Sequence, residues 1–138
     1  MHELIAFHSK VGGNVIGSFC VEDKLIEQYG IAELGPVNLH GGHRLTGVVE
    51  KPKLVDAPSN SAIAGRYILD QKIFDELLKE KVGVGGEIQL TDAISASLKE
   101  TQTHLIPVSA QRFDCGDQAG WVNAQVAFAK GAATKLMA

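Results

Sequence analysis

The stretch RLTGVVEKPKLVDAPSNSAIAGRYILDQKIFDELL, residues 44–78, contains a strand, a break, a second strand and a helix in that order. Arg44 to Val49 ends on a β-branched pair, and Glu50-Lys51-Pro52 stops it, because proline gives a sheet no N–H. A loop holding Pro58, Ser59 and Asn60 leads to a further strand, Ser61 to Leu69. Asp70 is placed to cap a helix with Ile73, Phe74, Leu77 and Leu78 on one face.

Upstream, residues 3–11 put Leu4, Phe7, His8 and Val11 on one helical stripe that Gly12-Gly13 ends. Asn14 to Val21 reads as a strand, Glu22 to Gln28 as a helical turn leading into Tyr29-Gly30-Ile31. Gly35-Pro36 and Gly41-Gly42 bracket a hairpin-like excursion. Downstream, Gly83-Val84-Gly85-Gly86 interrupts the helical pattern, and Leu90, Ile94 and Leu98 mark a second helix. His104 to Val108 is a short strand that Gln111 to Cys115 extends or follows. Asp117 is a cap for a last helix, 118–136, with Val122, Val126 and Ala129 on one face and Trp121, Gln125 and Phe128 on the next.

Strands alternating with helices predict an α/β fold, a mixed sheet flanked by helices, in one domain over residues 1–138. The chain opens on a helix, without the strand and glycine-rich turn that begin a nucleotide-binding α/β domain. A doubly wound sheet lacking its first strands has an unpaired edge, so self-association is expected.

Composition narrows the function. Hydrophobic residues make up 45% of the chain and the formal net charge is −3, with no basic run to attract a nucleic acid or an anionic membrane. No apolar run approaches the roughly 18 residues a membrane helix needs. No basic-then-apolar start resembles a signal peptide, and the two cysteines, Cys20 and Cys115, fit free thiols, so a cytoplasmic location is expected.

Two clusters carry possible chemistry. Glu50-Lys51-Pro52 follows a strand, and ligands bind beyond the carboxyl ends of such strands. A carboxylate accepts sugar hydroxyls and the adjacent ammonium neutralises a phosphate; taken alone, the pair is also an ordinary charged strand end in water. Neighbours on a strand face opposite ways, so both reach one ligand only if Pro52 ends the strand there. Asp114-Cys115-Gly116-Asp117 suits a hard cation, although Asp117 is equally a helix cap. Gly83-Val84-Gly85-Gly86 lacks the Lys-Ser/Thr of a P-loop and reads as a turn. His40 and His43 lack a third zinc ligand.

Seven ordered motifs, GGNVI (12–16), YGI (29–31), GVVEKP (47–52), APSN (57–60), GRYIL (65–69), GGEIQLTDA (85–93) and FDCGD (113–117), make the chain similar to the second half of bacterial UTP–glucose-1-phosphate uridylyltransferases, in the sugar-nucleotidyltransferase superfamily. Val37 to His43 matches least. The resemblance implies the C-terminal part of a Rossmann-like, glycosyltransferase-A-like sheet and a transfer of UMP from UTP to glucose 1-phosphate that yields UDP-glucose and pyrophosphate. It also implies that Gly30 lies against the glucose ring and Glu50 binds sugar hydroxyls. Lys51 binds the phosphate and acts in catalysis, Gly65 and Gln89 line the sugar pocket within segments around Gly65 and Glu87 to Thr91, and Asp114 helps hold Mg²⁺.

The family's G-x-G-T-R nucleotide loop and Gly-Asp-Asp motif do not occur in these 138 residues. The expectations are therefore a sugar-binding half, inactive by itself, that meets UTP only with a nucleotide-binding half, and a homo-oligomer. The alternatives are a non-catalytic fragment serving oligomer contact and a sugar-phosphate binding module.

Overall fold

Asn14–Cys20 forms strand β1, whose first five residues are all buried, as in a strand covered on both faces. Alternation assigns the faces. Val15 packs with Leu4 and Phe7 of helix α1, His2–Val11, while Ile16 enters the main core. The computed structural model describes residues 1–79 and 86–136. They fall into two compact units, Met1–Val108 and Ser109–Ala138, taken in turn.

In the first unit β1 pairs in parallel with β5, Thr103–Pro107, and antiparallel with β4, Ser61–Ile68. β4 meets β2, Gly30–Val37, at Ile31↔Ala62. β2 runs antiparallel to β3, His43–Glu50, which returns to β5 at His43↔Leu105 and Arg44↔His104. The strands thus close a ring in the order β1-β4-β2-β3-β5. The expected mixed sheet with flanking helices forms, and its strands close on one another where an unpaired edge was expected. Beyond Arg44 the free side of β3 is served by a helix instead. Ser95 of α3, Leu90–Ser97, donates its hydroxyl to the Val48 carbonyl at 3.1 Å and accepts the Val48 N–H at 3.2 Å. Ser95→Ala strips both partners from a part-buried backbone unit, so it is expected to cost about 1 kcal/mol by urea unfolding.

The main core lies between sheet and helices. Ile16, Leu45, Val48, Ile63 and Leu105 meet Ile73 of α2, Ile73–Lys79, and Ala93 and Ile94 of α3. Asn14, 2% exposed, ties three elements: its Nδ2 donates to Thr103 Oγ1 at 3.2 Å and its Oδ1 accepts the Asp70 N–H at 2.7 Å. The helical turn expected before Tyr29 is a 3₁₀ helix, Asp23–Gln28.

Several boundaries differ from expectation. Gly35-Pro36 lies within β2 rather than at a hairpin's edge, because register shifts at Glu33/Leu34 and Leu34/Val37 take up the proline as bulges. Ile73 and Leu77 face the core, but Phe74 (66%) and Leu78 (85%) are exposed, so the inward stripe of α2 is narrower than its apolar content. The Gly83–Gly85 part of the expected turn lies outside the described residues.

In the second unit Gln111 to Cys115 forms no strand. Helix α4, Gln118–Leu136, begins where Asp117 Oδ1 accepts the Gly120 N–H at 2.7 Å. Trp121, Val122, Val126 and Phe128 are exposed, so both stripes read from the sequence face outward. Among the described residues no helix is long and apolar enough to cross a membrane.

Candidate functional site

Gly30 and Glu50 sit opposite each other, at the start of β2 and the end of β3. Thr91, in the first turn of α3, donates its hydroxyl to Glu50 Oε2 at 3.0 Å. Ser95, one turn further along, grips the same strand through Val48, so a Thr-x-x-x-Ser spacing holds the end of β3 at two points. A methyl on Gly30 would lie 2.9 Å from Thr91 Cγ2 and 3.0 Å from Glu50 Oε2. Gly30 is therefore a glycine because its neighbours leave no room.

Tyr67 on β4 joins this cluster electrostatically. Burial first, and the Glu50 carboxylate second, push its hydroxyl above the ordinary value, so it remains a protonated donor at neutral pH. A carboxylate such as that of Glu50 can accept hydroxyl hydrogen bonds, and a protonated phenol such as that of Tyr67 can donate one.

The strand stops at Glu50, which meets the condition set by the alternation argument. Among the described residues other than glycine, Lys51 alone has left-handed backbone, φ +46°. Its N–H donates to the Tyr29 carbonyl at 3.1 Å, Pro52 behind it is buried, and its own side chain is exposed. Left-handed backbone costs a non-glycine residue roughly 1–2 kcal/mol, and such residues gather at functional sites.

The remaining expected residues are placed differently. Gly65, φ +64°, lies in the β4 bulge where Ala64, Gly65 and Arg66 oppose Gly17 alone, and a methyl there would meet nothing within 4 Å. Gln89 caps the start of α3, its carbonyl accepting the Asp92 N–H at 3.2 Å, two residues before Thr91. Asp114 lies in the second unit, with Oδ2 paired to Arg112 at 2.9 Å and Oδ1 accepting the Gly116 N–H at 3.0 Å. Thr91 in its specific role and Tyr67 were not singled out from the sequence. The Thr-x-x-x-Ser spacing was the available signal for the first.

Nucleotidyl transferases of this kind generally use a divalent metal. Asp114 offers such an ion one carboxylate, already engaged by a guanidinium and an amide, and the described residues contain no group of three potential ligands. Mg²⁺ takes near-octahedral oxygen coordination, so these residues do not make its site by themselves.

A family model described as nucleotidyl transferase matches residues 1–130. The chain is 37% identical over 127 residues to a UTP–glucose-1-phosphate uridylyltransferase of Haemophilus influenzae, covering 91% of this chain and 43% of that protein. It is 39% identical over 124 residues to a putative UTP–glucose-1-phosphate uridylyltransferase of Methanocaldococcus jannaschii, covering 90% and 44%. The fold superposes on a UDP-glucose pyrophosphorylase complexed with UDP-glucose at a TM-score of 0.86 and 31% identity, covering 94% of this chain and 48% of that one. A UTP-bound enzyme of the same kind from Acinetobacter baumannii gives 0.75 and 32%, covering 91% and 42%. The chain thus spans less than half the length of these relatives.

Proposed function

The chain belongs to the nucleotidyl transferase family, and from that premise we propose that its first unit binds the sugar phosphate of a UTP–glucose-1-phosphate uridylyltransferase reaction. One observation carries the reading: at the end of β3 a carboxylate held by Thr91 stands next to a lysine in strained, left-handed backbone. Glu50, with Thr91 and Tyr67 beside it, would accept and donate hydrogen bonds to glucose hydroxyls, and Gly30 would let the ring approach the sheet. Lys51 would hold the phosphate as a point charge. In the full reaction a phosphate oxygen of glucose 1-phosphate attacks the α-phosphorus of UTP, the bond to the β-phosphate oxygen breaks, and pyrophosphate leaves. Lys51 would offset charge as it shifts, a contribution of position and electrostatics rather than covalent chemistry. The UTP contacts and the remaining metal ligands would come from a nucleotide-binding part.

Calorimetric titration of the chain with α-D-glucose 1-phosphate tests the reading. Binding is expected, and Glu50→Ala should weaken it about tenfold to hundredfold, the effect of one lost charge-assisted contact. No binding by the unmodified chain, or equal binding by the variant, overturns it.

A further inference from the structure

Asn38 opens the tip between β2 and β3. Its Oδ1 accepts the backbone N–H of His40 at 2.8 Å and of Gly42 at 3.2 Å. Those two bonds fix the amide's orientation, since a flipped side chain would set an NH₂ group against two N–H donors. The Nδ2 therefore faces His104 Nδ1, 3.1 Å away. An NH₂ group only donates, so Nδ1 must accept, and the ring is neutral with its proton on Nε2.

His104 is 3% exposed and belongs to one of the two residue pairs that join β3 to β5. Burial and a neighbouring guanidinium disfavour a charge on the ring. Phe7 of α1 meets the ring at a centroid distance of 5.8 Å, and Val15 is its partner on β1. From β3 the charged group acting on it is Arg44, its partner across the seam, while the neighbouring His43 turns its Nδ1 to the Gly35 carbonyl at 3.2 Å. The tip contributes the neutral Asn38.

We infer that Asn38 and His104 form a proton-operated latch, which closes the seam between β3 and β5 while His104 is neutral and opens it on protonation. A proton on Nδ1 would point a second donor at the Asn38 NH₂ group, and the charge would sit buried beside Arg44. Burial first, and Arg44 second, hold the imidazole below its ordinary range. The unfastened seam binds the proton more readily than the fastened one, so closure is complete above the free-histidine value of about 6.5. It weakens as pH falls through that value and levels off below the closed-state value. The latch lies at one end of β3 and Glu50 at the other, so this device acts on the fold independently of the sugar-phosphate reading.

The test is NMR on the full chain. At pH 7.5 the ¹⁵N shifts of His104 should report the Nε2–H tautomer. Between pH 7.5 and 5, protection factors for the seam amides of His43 and Leu105 should fall by up to about tenfold per pH unit, while those of Phe19 and Ala62 in the β1–β4 pairing hold. His104→Gln can accept from Asn38 without titrating and should keep the seam protected at pH 5. Asn38→Asp retains one oxygen for the two tip amides and offers the other to Nδ1–H, so acid should tighten its seam. An Nδ1–H tautomer at pH 7.5, pH-independent protection in the unmodified chain, or acid opening that persists in Asn38→Asp each overturns the latch. The tautomer and the aspartate variant decide it even if His104→Gln does not fold.

Discussion

Gly30→Ala is expected to lower the affinity for glucose 1-phosphate at least about tenfold and to destabilise the Met1–Val108 unit by about 1–3 kcal/mol. The added methyl would meet Thr91 Cγ2 at 2.9 Å, closer than real side-chain carbons approach, and Glu50 Oε2 at a tight 3.0 Å. Neither neighbour yields easily. Thr91 is 7% exposed in the first turn of a helix whose Ile94 is fully buried, so α3 cannot retreat without opening the main core. Glu50 could swing away only by giving up the Thr91 hydroxyl. The strain therefore falls on the group assigned to the sugar. Thr91→Val separates the two parts of the effect, because it removes the hydroxyl while nearly keeping the volume beside Gly30. Calorimetry should show weaker binding in both variants, and urea unfolding a larger loss in Gly30→Ala. If Gly30→Ala binds as the unmodified chain does, the sugar ring does not approach the sheet at this point.

The order of elements was legible because β1 and β3 carry adjacent β-branched residues beside Gly or Pro, and because α3 keeps a clean four-residue apolar spacing. What was not legible depended on partners distant in sequence. Nothing local says that His43 and Arg44 pair with Leu105 and His104, so ring closure was hidden and an open edge was expected in its place. Pro36 punctuates the chain, yet bulges let β2 pass through it. Phe74 and Leu78 looked inward because an apolar count cannot locate the centre of a stripe. At the site the motif at 47–52 marked Glu50 and Lys51 correctly as a strand end. The hydroxyl that holds Glu50 lies 41 residues away on another element, and only the fold brings it near.

Lys51 is expected to be a residue whose removal helps the fold and harms the site. Its φ of +46° places it where a Cβ crowds the following carbonyl, a cost of roughly 1–2 kcal/mol that glycine does not carry. Glycine gives back about 0.5–1 kcal/mol through the greater freedom of the unfolded chain. The balance for Lys51→Gly is a gain of about 0.5–1 kcal/mol in urea unfolding, unusual for a substitution at a strand end. The exposed side chain contributes little packing to oppose it. Affinity should move the other way, because a glucose 1-phosphate dianion loses a charge-assisted contact, about tenfold to hundredfold. Lys51→Met isolates the charge, keeping the strained backbone and most of the length while losing the ammonium, so it should bind as weakly as the glycine variant without its gain in stability. The loss should shrink with rising salt, since an exposed ammonium is screened. A glycine variant that is no more stable would mean the turn after Glu50 is not strained. A methionine variant with undiminished affinity would mean that Lys51 is only a solvated strand end, the ordinary alternative that the sequence left open.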